Sequence, residues 1–300
     1  MKIEKPLPAP VWLMQMVRQA KGRSNPEGYN STLSLVKKAH LHTVCESACC
    51  PNRGRCFSNG TATFMIMGNI CTRACRFCAV VPGRPLTLDP GEPQRVSSAV
   101  VELGLEHVVI TSVTRDDLGD GGADHFAQVI RAIKQISPRT GVEVLVPDFA
   151  GKEKALENVL EARPEVFGHN VETVPRLYRQ VRPGASYEHS LALLGRASGR
   201  SVPTLKIKSG FMLGLGETDE EIRDLLHNLY NAGCHIVTIG QYLAPSLRHY
   251  PVQRYVTREE FSAWAEEARQ IGFQAVASAP LVRGSYDAGF IYQEAIAHGR

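Results

Sequence analysis

From residue 60 onward, short apolar runs alternate with longer amphipathic stretches. Short apolar runs bounded by turn residues are typical of buried strands, and apolar positions at helical spacing indicate helices. The pattern predicts strands at residues 62–67, 107–112, 142–146, 166–170, 204–213 and 235–240. It predicts helices between and after them at residues 94–103, 123–136, 152–162, 187–196, 219–232 and 258–272.

This strand–helix alternation predicts an α/β fold in which a parallel sheet curls into a partial (β/α)6 barrel. Residues 1–60 are rich in polar and turn-forming types, with short helical patches at 11–20 and 31–40. Because no low-complexity linker interrupts the chain, we predict one barrel with two extensions. The expected bounds are 1–60 for the N-terminal extension, 61–272 for the barrel and 273–300 for the C-terminal extension.

Composition excludes several classes of function. The formal net charge is +4 and no run resembles a polybasic tail, which gives no case for a nucleic-acid partner. No apolar stretch is long enough to predict a membrane span. The first residues lack a continuous apolar run and contain prolines where one would lie, so they do not resemble a signal peptide. We therefore expect a cytoplasmic protein without a membrane partner.

The cysteines carry most of the chemical information. Seven of the eight lie within residues 45–78, and Cys234 stands alone. A disulfide scaffold suits short secreted chains without a large core. This chain is long enough to form a core and shows no export signal, so we do not expect disulfides. Clustered thiols in a cytosolic protein indicate metal ligands or redox groups instead.

The later group, Cys71, Cys75 and Cys78, has the spacing C-x3-C-x2-C and follows the first predicted strand. Thiolate ligands favour iron–sulfur or zinc sites over hard cations. A structural zinc site needs a fourth ligand, and the local sequence supplies no further Cys or His. Three ligands on a four-iron cluster leave one iron open, where a substrate can bind.

The earlier group contains a second triplet, Cys45, Cys50 and Cys56, with the spacing C-x4-C-x5-C. An alternative is a zinc knuckle that His40 or His42 completes. The remaining cysteines, Cys49 and Cys234, are interpreted as spare thiols, since free cysteine packs like a small hydrophobic residue.

The spacing of Cys71, Cys75 and Cys78, with the aromatic Phe77 before the last cysteine, resembles the signature of the radical S-adenosylmethionine superfamily. The resemblance implies a partial barrel of the radical SAM type and a [4Fe–4S] cluster on these three cysteines. The amino and carboxylate groups of S-adenosyl-L-methionine would then chelate the open iron.

Over most of the chain, from about Leu7 to Ala288, the sequence closely resembles the lipoyl synthase family. The matching strings lie at residues 111–118, 120–123, 145–149, 169–172, 179–184, 214–217, 240–243 and 251–255. In that family the C-x4-C-x5-C group holds an auxiliary [4Fe–4S] cluster that supplies sulfur. The resemblance thus implies a sulfurtransferase with two [4Fe–4S] clusters, the second on Cys45, Cys50 and Cys56.

The sequence departs from the family at a ligand motif. The family ends in Arg-Ser-Ser-Tyr, which contributes a serine as the fourth ligand of the auxiliary cluster. Here the string is Arg283-Gly284-Ser285-Tyr286, so Ser285 is the candidate ligand and a turn residue without metal contact is the alternative. Cys49 also stands where many relatives carry another residue.

The reaction that the resemblance implies begins with electron transfer to the first cluster and cleavage of S-adenosylmethionine to a 5′-deoxyadenosyl radical. This radical takes hydrogen from C6 and then C8 of a protein-bound octanoyl chain, and the carbon radicals take sulfur from the auxiliary cluster. Expected partners are octanoylated lipoyl-carrier domains of 2-oxoacid dehydrogenases or the glycine cleavage protein. A flavodoxin or ferredoxin donor and iron–sulfur assembly or carrier proteins complete the expected set.

Other polar residues give weaker signals. Asn170 and Glu172 are two residues apart at a predicted strand end, so their side chains share one face; they contact either S-adenosylmethionine or solvent. Arg182, Lys208 and Ser209 are further candidates for this contact. The carboxylates at residues 116, 117 and 120 are interpreted as helix-capping residues rather than a magnesium site.

Two other functions stay open from the sequence. One is a different radical S-adenosylmethionine enzyme with an auxiliary cluster, such as a paralogue altered at Gly284. The other is a zinc-stabilised binding module without catalysis.

Overall fold

The computed structural model describes residues 7–200 and 204–298. Its strands are β1 (Thr63–Ile66), β2 (Ile70–Cys71), β3 (Val81–Pro82), β4 (His107–Ser112), β5 (Gly141–Leu145), β6 (Val166–Gly168), β7 (Lys206–Leu213), β8 (Ile236–Gln241) and β9 (Ala275–Ala279). Its helices are α1 (Val11–Lys21), α2 (Pro26–Lys38), α3 (Val44–Ser47), α4 (Arg53–Ser58), α5 (Glu92–Glu102), α6 (Ala123–Ile136), α7 (Glu153–Glu161), α8 (Tyr178–Val181), α9 (Tyr187–Ser198), α10 (Asp219–Asn231), α11 (Arg258–Ile271) and α12 (Ala288–His298).

Seven of these strands form one fully parallel sheet in the order β1-β4-β5-β6-β7-β8-β9. Helices follow most of the strands, so the predicted α/β class and its repeated strand–helix units are confirmed. The pattern predicted six strands, but the sheet has a seventh, β9, within the segment assigned to the C-terminal extension. Its sequence, Ala-Val-Ala-Ser-Ala, lacks the bulky apolar run that marks a buried strand.

The barrel helices begin where the local sequence provides a cap. Thr218 and Thr257 each accept a hydrogen bond from the backbone three residues on, and a glutamate side chain bonds back to each cap. These reciprocal bonds are capping boxes, which satisfy backbone donors at a helix start. At the other end of α10 the chain turns through Gly233, whose φ of 81° favours glycine.

The main core lies between the sheet and its outer helices. Phe126, Ile130 and Ile133 of α6 are fully buried, as are Leu225, Leu226 and Leu229 of α10. A smaller cluster made of Tyr29, Cys45, Phe57 and Ala62 holds the N-terminal helices together. In the described residues, no helix is both long and apolar enough to cross a membrane.

The segments before and after the barrel both pack against it. Thr43 forms an antiparallel bridge to Phe64 of β1, which fixes the start of α3 beside the first strand. At the other end of the chain, α12 buries Ile291 and Ala295 against Ile236 and Ala275 of the sheet. The antiparallel bridge places α3 and the earlier cysteines beside the start of β1, whereas the later cysteine triplet follows the carboxyl end of β1.

Candidate active site

A cavity of about 850 Å³ opens at the carboxyl ends of the strands. This is the edge at which parallel α/β folds place their chemistry. Most of the sequence-predicted site residues line this cavity, namely Cys45, Cys50, Cys71, Cys75, Cys78, Asn170, Glu172, Arg182 and Ser285. Cys56 is outside the lining but stands beside Cys45 and Cys50. The structure therefore brings both triplets to one site.

Backbone contacts fix the loop that carries the later triplet. The Cys71 thiol accepts hydrogen bonds from the amides of Thr114, at 3.3 Å, and Arg73, at 3.4 Å. The Thr72 amide donates to the Thr114 carbonyl at 3.1 Å. The loop is thereby tied to the end of β4.

The strongest attachment of this loop is Arg73, which lies between the first two cysteines of the triplet. Its guanidinium donates to both carboxylate oxygens of Asp116 and to both of Asp148, at 2.7–2.9 Å. Asp148 is buried, and burial opposes its ionisation, but the hydrogen bonds and charge of Arg73 outweigh this and lower the pKa of Asp148 to about 2. Charge-assisted bidentate pairs of this kind fix geometry as well as add stability.

Within the later triplet the thiols are neighbours, as their electrostatics show. Burial, with smaller contributions from the nearby Cys75 and Cys71, raises the pKa of Cys78 to about 12. Burial also raises the pKa of Cys75, where Arg182 opposes the effect and Cys71 adds to it. Without a positive centre Cys75 and Cys78 stay protonated; a metal that binds them would release the protons.

The earlier triplet spans two short helices, with Cys45 in α3 and Cys56 in α4. Thr43 caps α3 by accepting a hydrogen bond from the Glu46 amide. Burial, with a smaller contribution from the nearby Cys50, raises the pKa of Cys45 to about 11. Burial, with smaller contributions from the nearby Cys45 and Cys50, raises the pKa of Cys56 to about 12. The three thiols are therefore close together despite their spacing in sequence.

The C-terminal segment packs against this triplet. The Asn52 side chain donates to the Leu281 carbonyl at 2.7 Å, and Arg55 donates to the Tyr286 hydroxyl at 2.6 Å. Between these two contacts the chain carries Ser285 into the cavity lining. The two extensions, more than two hundred residues apart in sequence, thus form one wall of the site.

Within residues 7–200 and 204–298, no three Cys, His, Asp or Glu side chains are close enough together to chelate one metal ion. An iron–sulfur cluster is bound at separate irons, so its thiolates surround a volume rather than a point. The later triplet and two thiols of the earlier one line a single cavity, which provides that volume, and Cys56 stands beside them.

The polar residues predicted at the end of β6 also face the cavity. Glu172 has a φ of 67°, unusual for a residue with a side chain, and its backbone pairs with β7 around Phe211. Burial raises the pKa of Glu172, while Arg182 and a hydrogen bond from Asn170 oppose the rise. Arg182 donates to the Asn170 carbonyl at 3.0 Å, and in the described structure its buried Nε has no partner.

Two predicted residues lie elsewhere. Lys208 and Ser209 are buried but absent from the described cavity lining. Lys208 donates to Glu143 at 2.7 Å, and Glu143 also stands 3.5 Å from His107 in a buried polar group. Side chains alternate along a strand, so Ser209 faces the other way from Lys208. The structure thus does not bring either residue to the site.

Sequence reasoning missed several site residues. It assigned residues 116 and 117 to helix capping, whereas Asp116 pairs with Arg73 and Asp117 pairs with Arg115. Asp120 does accept hydrogen bonds at the start of α6, from the amides of Gly122 and Asp124. It gave no role to Asp148, although Asp148 follows β5, where site residues gather. It also overlooked Arg283, which stands near both Cys50 of the earlier triplet and Glu172.

Comparisons with known proteins identify the family to which the chain belongs. The family model described as the radical SAM superfamily matches residues 65–229. The chain is also similar in structure to methylornithine synthase, with a TM-score of 0.55 at 14% identity over 94% of this chain and 79% of the other. At that identity the likeness supports the fold alone.

The sequence relatives are much more similar. The chain is 52% identical to lipoyl synthase from Syntrophotalea carbinolica over 97% of its own length and 92% of the relative's. It is 55% identical to lipoyl synthase from Nitrosococcus oceani over 85% of this chain and 78% of that one. Together with the superfamily match, these relatives confirm the resemblance: the chain belongs to the lipoyl synthase family of the radical S-adenosylmethionine superfamily.

Proposed function

We propose that this protein is a lipoyl synthase, which inserts two sulfur atoms, at C6 and C8, into an octanoyl group attached to a carrier protein. The observation that supports this most strongly is the presence of two distinct cysteine triplets at one cavity. Half-identical relatives that share most of the chain's length carry the same function in their names.

The donor sets fit two iron–sulfur clusters. Each triplet offers three neighbouring soft thiols, the ligands that iron–sulfur clusters take. Cys71, Cys75 and Cys78 would hold the cluster that binds S-adenosylmethionine. The auxiliary cluster would be held by Cys45, Cys50 and Cys56, with Ser285 as its fourth ligand.

The residues around the first triplet fit an amino acid moiety. The unpartnered Nε of Arg182 is a donor for a carboxylate, and Glu172 is an acceptor for an amino group. Gly210 gives Asn170 room, because a Cβ there would lie 3.1 Å from Asn170 Oδ1 and collide with the Thr238 hydroxyl. Since Lys208 already pairs with Glu143 and Ser209 lies outside the lining, neither is part of this proposal.

When bound, the cluster and S-adenosylmethionine supply a radical that removes hydrogen from an unactivated methylene, a task beyond any positioned acid or base. The chain's own residues contribute position and exclusion. Phe77, Phe211 and Met212 line the cavity and keep water from the reacting carbons. Arg73 holds the cysteine loop in place through Asp116 and Asp148.

The proposed setting follows the expected partners. The octanoyl group arrives on a lipoyl-carrier domain of a 2-oxoacid dehydrogenase or of the glycine cleavage system. A flavodoxin or ferredoxin supplies electrons, and iron–sulfur carrier proteins renew the auxiliary cluster, in the cytoplasm. The proposed division of the chain into residues 1–60, 61–272 and 273–300 also separates functions. The barrel would bind S-adenosylmethionine, and the two extensions together would build the auxiliary site.

The test is mass spectrometry of an octanoylated carrier peptide after anaerobic reaction with the iron-reconstituted protein, S-adenosylmethionine and a reductant. Two added sulfur atoms per peptide, together with 5′-deoxyadenosine, are expected. 5′-Deoxyadenosine without any sulfur transfer would instead support a different radical enzyme with an auxiliary cluster. A colourless protein that contains zinc would support the binding module.

A further inference from the structure

Helix α1 forms the outer rim of the cavity. One of its faces lines the opening with Leu13, Met14, Val17, Arg18 and Lys21. Leu13 is fully buried, whereas Met14 is 51% exposed and both basic residues are exposed. The face therefore passes from an apolar interior to a basic outer edge over two turns of the helix.

The helix is firmly attached in this position. Its C-terminal end lies so close to α4 that the Lys21 and Gly22 carbonyls occupy the place where a Cβ on Gly54 would be. At its other end, Arg258 of α11 stacks over Trp12 at 5.7 Å. Since α4 carries Cys56, the rim is held by the same element that builds the auxiliary site.

The charges at the cavity are unbalanced. Among the described lining residues, Glu172 is the one carboxylate, whereas the basic residues are Arg18, Lys21, Arg73, Arg182 and Arg283. The three deeper arginines are engaged: Arg73 pairs with two aspartates, and Arg182 and Arg283 lie near Glu172. Within the described chain, Arg18 and Lys21 form no ion pair.

A substrate attached to a protein imposes a geometric requirement on this rim. If the proposed function holds, the acyl chain enters the cavity while the carrier domain stays outside, because the domain is larger than the opening. The carrier surface around the acylated lysine then lies against the edge of the cavity. Unpaired positive charges at such an edge favour a partner with negative charge in the matching place.

We propose that α1 is the docking surface for the carrier domain. Acidic side chains that flank the acylated lysine of the carrier pair with Arg18 and Lys21. Met14, exposed between the basic edge and the buried Leu13, packs against the aliphatic part of the lysine arm. This inference rests on the proposed function and adds to it the surface that selects the partner.

The test is the affinity of the cluster-loaded protein for the octanoylated glycine cleavage carrier protein, measured anaerobically by calorimetry. Reversing both charges in R18E/K21E replaces two attractions with two repulsions, so the Kd at low salt should rise about tenfold. Raising the salt from about 0.05 M to about 0.5 M should weaken the parent and shrink the difference, because screening lengths shorten.

Two controls separate charge at the rim from other effects. K37E/K38E makes the same change of net charge on exposed lysines of α2, away from the cavity, and should bind like the parent. R18K/K21R keeps both charges and should also bind like the parent. On the carrier side, neutralising the acidic residues nearest the lysine should weaken binding to the parent but not to R18Q/K21Q, as expected for groups that pair.

Equal affinities for the parent and R18E/K21E, or an equal loss in K37E/K38E, would overturn the docking proposal. A short octanoyl-lysine peptide without acidic residues keeps this result distinct from the proposed function. If the parent adds sulfur to the peptide, the function stands whatever the rim variants do. If the parent adds sulfur to neither peptide nor carrier, the proposed function fails instead.

Discussion

Replacing Asp148 with Asn should loosen the loop of the later cysteine triplet. Asp148 is 4% exposed, accepts two hydrogen bonds from Arg73 at 2.7 and 2.8 Å, and accepts a third from the Ala150 amide at 3.0 Å. Asn has nearly the same shape but carries no charge, and its amide presents donors where Arg73 also donates. Arg73 would keep only its pair with the more exposed Asp116.

The pKa of Asp148 gives the size of the effect. Arg73 and the Ala150 amide outweigh the cost of burial and lower the pKa from 3.8 to about 2. A shift of this size corresponds to about 2 kcal/mol of stability. Because the folded pKa is depressed, this contribution is complete above about pH 4 and is lost as the pH falls toward 2. The parent and Asp148→Asn should therefore differ at neutral pH and converge in acid.

The assay is urea unfolding of the cluster-free protein between neutral and acidic pH, with iron counts after reconstitution at neutral pH. Asp89→Asn is the matched control, since Asp89 also accepts from an arginine, Arg95, and from a backbone amide, but on the open surface. Its stability should stay close to the parent's. If Asp148→Asn unfolds at the parent's urea concentration and keeps full iron, the Arg73 attachment does not stabilise the loop.

Further predictions concern the auxiliary site and the spare thiols. Ser285→Ala should assemble both clusters and form 5′-deoxyadenosine but little lipoyl product by mass spectrometry, whereas Ser285→Cys should hold the cluster more firmly and also stall sulfur transfer, since thiolate is the softer ligand. If Ser285→Ala transfers sulfur at the parent rate, Ser285 is a turn residue without metal contact. Gly284→Ser should keep stability within about 0.5 kcal/mol and retain activity, because its Cβ would lie no closer than 3.4 Å to Asn170. Cys49→Ala and Cys234→Ala should each keep the full iron count. Loss of a cluster in either variant would show that the substituted cysteine is a ligand.

Periodicity predicted the sheet and most of its helices because the central strands are buried on both faces and the outer helices on one. Helix α6 and strand β4 fall at their predicted bounds. Strand β9 was not predicted, because its small residues pair by backbone hydrogen bonds and give no apolar run in the sequence. Sequence spacing also placed the thiols of each triplet together, because short loops limit how far they separate.

Contacts between segments far apart in the chain could not be predicted from the sequence. Arg73 and Asp148 are 75 positions apart, and nothing local to either indicates the other. The alternation of side chains along β7 predicts the face on which a residue lies but not its distance from the cavity. Lys208 is on the same face as the cavity-lining Gly210, yet it pairs with Glu143 outside the cavity lining. The meeting of Arg55 with Tyr286 likewise depends on how the whole sheet curls.

The central claim is that two triplets hold two separate clusters with different tasks. Iron and sulfide counts, with 5′-deoxyadenosine formation, test it directly in two triple variants made by changing to Ala either Cys71, Cys75 and Cys78 or Cys45, Cys50 and Cys56. Each variant should keep half of the parent's iron. The first should lose 5′-deoxyadenosine formation, and the second should keep it but form no lipoyl product. Full iron in the second variant, or 5′-deoxyadenosine from the first, would contradict the account.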